Sequence, residues 1–197
     1  MTSSQSAPAD EQRMAQLWIR FKADDEKAFD QLVQARYRVL FNYATRFTND
    51  RDLIKDCLQD LFLELWNRRA VIVETPYVTI YLIKAFRNNL FRRIRREMAR
   101  PFVSDETLEW ETIATEELTA DHKWIADERL VSTEQSLRQA VDRLPKRQQE
   151  VVFLKFYEGL TNDDIAQVMA IEKQTVANFL YRAMTQLRTI LPVRLFS

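Results

Sequence analysis

With 197 residues, 46% apolar and 29% charged, the chain has material for one large or two small helical domains, and no apolar run approaches the roughly 20 residues of a membrane helix. A single glycine, Gly159, and five prolines disfavour hairpin-rich β architecture and glycine-rich phosphate loops. One cysteine, Cys57, and one histidine, His122, exclude an intrachain disulfide and a Cys/His zinc set, and leave little for a nucleophile–base pair. The zero net charge is unevenly spread: residues 1–100 hold 18 basic against 13 acidic residues, residues 101–135 hold 2 against 10, and residues 136–197 hold 9 against 6. Two mildly basic ends flanking an acidic connector fit two modules that face nucleic acid.

The polar opening MTSSQSAPADEQ lacks the apolar core of a signal peptide, so a cytoplasmic location without membrane insertion is expected. From Glu11 to Arg100 the pattern is helical. Over Asp52 to Trp66, Leu53, Cys57, Leu61 and Leu65 form one row at four-residue spacing, and Ile54, Leu58, Phe62 and Trp66 form the next, which together make a broad buried face. Cys57 on that face reads as a small core hydrophobe rather than a reactive thiol. The opposite face carries Asp52, Asp56, Asp60 and Glu64, whose like charges one turn apart repel and invite a basic partner. Gln59 and apolar Leu63 border that ladder, the mixture expected where a protein docks.

A second long helix is predicted from Pro76 to Met98, with Val78, Leu82, Phe86, Leu90, Ile94 and Met98 as its apolar row. Around it lie Lys84, Arg87, Arg92, Arg93, Arg95, Arg96 and Arg100 against the lone acid Glu97, interleaved with Tyr77, Tyr81 and Phe91 and with Asn88 and Asn89. Cationic groups for phosphates beside aromatic faces for unstacked bases suit single-stranded DNA. The acidic stretch from Pro101 to Val131 has Trp110 and Trp124 as its large anchors and reads as a linker without a core of its own. Ser132 with Gln135 is placed to cap a following helix that buries Leu137, Val141 and Leu144. Pro145 opens a helix over Lys146 to Tyr157, and Gly159 is placed to end it in a left-handed conformation.

The segment LTNDDIAQVMAIEKQTVANFLYRAMTQLR, Leu160 to Arg188, has the spacing of a helix-turn-helix. Thr161 and Asp164 form a capping box ahead of Ile165, Val168 and Met169. A break at Ala170 to Glu172 follows. The helix from Lys173 buries Val176, Leu180, Ala183 and Leu187, and presents Gln174, Ala177, Asn178, Tyr181, Arg182 and Thr185 for base edges and phosphates.

Three of these segments, in this order, carry a resemblance. DRDLIKDCLQDLFLELW, YLIKAFRNNLFRRIRRE and the stretch from Leu144 to Arg188 are similar to the polymerase-binding helix, the −10 melting segment and region 4 of RNA polymerase sigma factors of the extracytoplasmic-function group. The resemblance implies an all-α fold of two small domains, region 2 over 11–100 and region 4 over 132–197, joined by an acidic linker at 101–131. It implies that Asp56, Gln59, Asp60, Leu63 and Glu64 dock on the β′ clamp helices of core polymerase, with region 4 near the β flap. Lys84, Arg87, Asn88, Arg92 and Arg95 would hold the melted −10 strand, and Gln174, Thr175, Asn178, Tyr181 and Arg182 would read the −35 duplex. An anti-sigma factor, often membrane-bound, would occlude the same surfaces. No cofactor, no metal and no catalysis by this chain are implied.

Ala170 stands where that family usually has glycine, so the turn either avoids positive φ or carries roughly 1 kcal/mol of strain. Ala177 and Phe179 stand where basic residues are common, which leaves more of the phosphate work to Arg182 and Arg188. A free-standing helix-turn-helix regulator is the alternative, but a duplex operator requires neither the acidic ladder nor the arginine-rich surface. An adaptor that never touches DNA leaves the recognition helix unexplained.

Overall fold

A computed structural model of the chain describes residues 6–98 and 136–190, and among these no strand occurs. The linker expected at 101–131, with Trp110 and Trp124, and the Ser132–Gln135 cap lie outside the described residues. The chain divides into two compact units, the first carrying the helices up to Met98 and the second most of those from residue 136 onward.

Four helices build the first unit: α1 (Ser6–Lys22), α2 (Glu26–Ala44), α3 (Arg51–Arg68) and α4 (Val78–Met98). Polar side chains define their ends. After α1, Asp24 takes φ 66°, and the Asp25 N–H closes on the Arg20 carbonyl at 3.1 Å, the wide bond of a left-handed helix stop. Asp25 then caps α2, its Oδ1 accepting from the Ala28 N–H at 3.1 Å while Oδ2 takes the Arg20 guanidinium at 2.6 Å. The Ala28 N–H first, and Arg20 second, hold the Asp25 carboxyl below the usual carboxylate range. Asp50 caps α3 by accepting from the N–H groups of Asp52 and Leu53 at 3.0 and 2.9 Å, so that helix begins a residue before the expected Asp52.

The expected core rows of α3 are buried at Leu53, Ile54, Cys57, Leu58, Leu61, Phe62 and Leu65, with Trp66 half-buried. Val78, Leu82, Phe86, Leu90 and Ile94 of α4 are buried too. That helix starts at Val78 rather than Pro76, and its first turn is capped from α1. The Glu11 carboxylate accepts the Thr79 N–H at 3.1 Å and the Thr79 hydroxyl. An acid at a helix N-terminus also complements the helix dipole. Fully buried Trp18 packs edge-on to Tyr81 at 5.1 Å and donates its indole N–H to the Val73 carbonyl at 3.2 Å, tying α1 to the segment between α3 and α4. On the same unit Arg36, 8% exposed at its side chain, pairs with Asp10 at 2.6 Å and joins α2 to α1.

The second unit comprises α5 (136–142), α6 (Lys146–Val152), most of α7 (Asn162–Met169) and α8 (Lys173–Ile190). Directly after α6 the chain widens into a π-helical turn over Phe153–Tyr157, a change of pitch that apolar spacing does not encode. Gly159, at φ 70°, ends it as expected, with the Leu160 N–H reaching the Leu154 carbonyl at 3.0 Å. Buried Gln149 donates to the carbonyls of Asp142 and Leu144 at 3.0 and 2.7 Å, satisfying one acceptor at the end of α5 and one in the turn that follows. Ala140 and Leu144 pack with Ala183 and Leu187 of α8, with half-buried Val141 against them. Two core expectations are corrected. Leu137 is 46% exposed, because the contact with α8 runs through Ala140 and Leu144 and Leu137 lies beyond it. Leu180 is only half-buried.

Candidate nucleic-acid and protein interfaces

The acidic ladder of α3 is exposed along its length, but its members face different neighbours. Asp52 pairs with Lys55 of its own helix at 2.9 Å, which, by a hydrogen bond first and by charge second, lowers the Asp52 pKa and raises that of Lys55. Glu64 pairs with Arg68 at 2.9 Å. Asp56 and Asp60 both meet Arg93 of α4, at 3.2 and 2.9 Å. Part of the basic complement that the ladder invites therefore lies within the chain. Gln59 and Leu63 turn the other way and border a groove of about 770 Å³ between α2 and α3, over Phe29, Val33, Phe62 and Trp66. Leu63 is 57% exposed there and Tyr37 39%. The α2 side of this groove escapes sequence reasoning, since nothing in either helix alone says which partner lies alongside.

On α4, Lys84, Asn88, Arg92 and Arg95 are exposed, and the spacing of four, four and three residues sets them along one stripe. Two side chains are positioned by the helix itself: Arg92 donates to Asn89 Oδ1 at 3.1 Å, and Arg95 Nε donates to the Phe91 carbonyl at 3.4 Å. Arg87 is not on that stripe. It is 6% exposed, with its guanidinium carbon 4.6 Å above the centre of the Phe91 ring, a cation–π contact inside the unit. Phe91 itself is buried edge-on to Phe47 at 4.8 Å, and Tyr81 is half-buried against Trp18 with its hydroxyl pKa raised by burial. Of the three aromatics expected as base platforms only Tyr77, 61% exposed, offers an open face. Between α3 and α4 a crevice of about 210 Å³ is lined by Glu64, Arg68, Tyr81, Asn88, Asn89 and Arg92.

The helix-turn-helix is built as the spacing predicts. The Thr161 N–H donates to Asp164 Oδ2 at 3.0 Å, and the Asp164 N–H donates to Thr161 Oγ1 at 3.2 Å, a reciprocal capping box at the start of α7. Ala170 adopts φ 53°, and the Ile171 N–H reaches the Ala166 carbonyl at 3.1 Å. The turn thus uses the left-handed conformation without glycine. Lys173 at the head of α8 pairs with Asp163 of α7 at 2.8 Å. Val176, Ala183 and Leu187 are buried, and Phe179 is half-buried rather than outward. The opposite face presents Gln174, Asn178, Tyr181 and Arg182 to solvent, with Thr175 half-buried at its margin and Tyr181 75% exposed. Gln174 Nε2 bonds Asn178 Oδ1 at 3.3 Å, pre-arranging two amides of the kind that pair with adenine edges.

Among the described residues no group of three or more His, Cys, Asp or Glu side chains is placed to hold a metal ion, and no helix is long and apolar enough to cross a membrane. Cys57 is buried, and desolvation pushes its thiol up to about 11.

An exposed recognition helix in one unit and a basic α4 stripe beside an acidic ladder in the other define a transcription factor that meets both DNA and a protein partner. The model of sigma-70 region 2 matches residues 32–100 and that of sigma-70 region 4 matches residues 134–187, together more than half of the chain. The chain belongs to the sigma-70 family of RNA polymerase sigma factors, in its extracytoplasmic-function type. Such a subunit binds core RNA polymerase and promoter DNA and directs transcription initiation, and the family is a non-catalytic one. The chain is 26% identical over 174 residues to the RNA polymerase sigma-H factor of Pseudomonas aeruginosa, a match covering 85% of this chain and 88% of that protein. It is 23% identical over 152 residues to the RNA polymerase sigma factor SigV of Bacillus subtilis, covering 77% and 81%. In fold it is similar to the sigma factor RpoE from Bartonella quintana, solved with the anti-sigma factor NepR, at TM-score 0.61, 19% identity and coverage of 85% and 98%. It is also similar to CnrH, solved with the cytosolic domain of CnrY, at TM-score 0.57, 18% identity and coverage of 91% and 96%.

Proposed function

We propose a division of labour among the three surfaces. Residues 11–100 act as region 2, 101–131 as the linker and 132–197 as region 4. Asp56, Gln59, Asp60, Leu63 and Glu64 dock on the β′ clamp helices, the carboxylates steering basic groups while Leu63 and the α2–α3 groove supply apolar contact. Lys84, Asn88, Arg92 and Arg95 hold the non-template strand at −10, and Arg87 serves that surface from beneath as a brace on Phe91. Gln174, Thr175, Asn178, Tyr181 and Arg182 read the −35 duplex, with region 4 seated at the β flap.

The observation that carries this reading is the arrangement of α3 and α4: an exposed acidic ladder and an exposed cationic stripe on adjacent helices of one unit. Each opened base pair costs free energy, and binding only the unstacked base offsets that cost in a sequence-dependent way. Melting then needs no nucleotide hydrolysis by this chain, which works in the cytoplasm without cofactor or metal and leaves catalysis to the polymerase. By analogy with the complexes formed by its structural neighbours, an anti-sigma factor restrains it by covering the region 2 and region 4 surfaces.

The test is capture of core RNA polymerase by the full chain, wild type against Asp56→Arg with Asp60→Arg, in moderate salt. Charge reversal should abolish specific binding. Undiminished capture by the double variant would remove the ladder from the docking surface.

A further inference from the structure

Arg93 of the α4 cationic set is held by α3: one guanidinium nitrogen meets Asp60 at 2.9 Å, and the other meets Asp56 one turn earlier at 3.2 Å. Of its neighbours, Arg92 donates to Asn89 and Arg95 to the Phe91 carbonyl, both bonds lying within α4. The bridge is exposed, at 36% for the Arg93 side chain and 57% and 54% for the two carboxylates. A pair this wet is weak and readily exchanged. A permanent brace between packed helices would be better served by a buried contact.

We propose that Arg93 couples polymerase docking to strand capture. In the free chain Asp56 and Asp60 hold Arg93 against α3. A cationic partner surface that takes over these two carboxylates releases the guanidinium to a backbone phosphate at the edge of the Lys84–Asn88–Arg92–Arg95 stripe. Arg93 lies about 100° round the helix from Arg92, with Asn89 between them, so the released side chain reaches a phosphate beyond the Arg92 margin of that stripe rather than along it. The exchange is reciprocal, since DNA that holds Arg93 also frees both carboxylates for the basic partner. This coupling rests on the proposed assignment of α3 to polymerase and α4 to the melted strand.

The test uses the full chain without polymerase and a fluorescent single-stranded oligonucleotide, with anisotropy read across a salt series. Asp56→Asn with Asp60→Asn should tighten binding about three- to fivefold and steepen the log–log salt slope by about 0.7, the signature of one added phosphate contact on a single strand. Adding Arg93→Ala should erase most of the gain and the extra slope. In reconstituted holoenzyme, Arg93→Ala alone should weaken binding to pre-melted promoter DNA by a similar factor, whereas in the free chain it should change little. A gain of equal size with Arg93→Ala present would mean that the two carboxylates merely repel DNA, and no gain at all would mean that Arg93 is not withheld. Either result overturns the coupling. Polymerase capture by the Asn pair is read separately: if capture is unimpaired while the oligonucleotide gain appears, the docking assignment is what fails.

Discussion

Replacing Ala170 by glycine should stabilise the helix-turn-helix. Ala170 sits at φ 53° between α7 and α8, where its Cβ crowds the following carbonyl at a cost of about 1–2 kcal/mol. Glycine removes that crowding but adds about 0.5–1 kcal/mol of chain entropy to be lost on folding, so a net gain of about 0.5–1 kcal/mol remains. The side chain is exposed, so its removal empties no packed space, and the Ile171 N–H to Ala166 carbonyl bond is retained. The assay is hydrogen exchange of the α7 and α8 amides in the full chain, where this gain slows exchange about two- to fivefold. Gly159→Ala is the opposite control: at φ 70° the new Cβ should cost a similar amount and speed exchange in the same helices. Unchanged or faster exchange in Ala170→Gly would refute the strain argument.

Glu11→Ala should destabilise the first unit by about 1 kcal/mol, because the first turn of α4 loses its cap from α1; urea unfolding followed by tryptophan fluorescence reads this, and Thr79→Ala should add little on top of it. Arg182→Ala should weaken binding of the −35 duplex and reduce the salt slope by about 0.9, and a salt series with an unaltered slope would remove Arg182 from the phosphate contacts. Cys57 should resist alkylation at pH 8 in the folded chain and react fully in denaturant. Its thiol is raised from 9.0 to about 11, so burial favours the neutral form: that contribution to stability is complete below about pH 9 and lost as pH rises toward 11, which denaturant midpoints across this range will show.

Much of this was legible in the order of residues. The two apolar rows of α3, the Thr161–Asp164 box, the break at Ala170 and the stop at Gly159 are terms between residues a few positions apart. Helical periodicity and φ preference fix such terms before any helix finds a neighbour. The outward set Gln174, Asn178, Tyr181 and Arg182 follows from the same arithmetic, applied to a helix whose opposite side is apolar. What spacing left open was the destination of long polar side chains. Glu11 reaches Thr79 across 68 positions, Trp18 reaches Val73 across 55, and Arg93 reaches Asp60 across 33. Arg87 and Arg92 look alike in the sequence, yet one lies buried on Phe91 and the other stands in solvent. A three-methylene stem ending in a guanidinium lets an arginine on the margin of a helix turn either way, and the choice depends on which element packs beside it. Sequence alone therefore determined the apolar rows of α3 and α4, the Thr161–Asp164 box and the outward face of α8; only the packing of α1, α3 and α4 decided how the long charged side chains pair, because that packing brings opposite charges from distant positions within reach of each other.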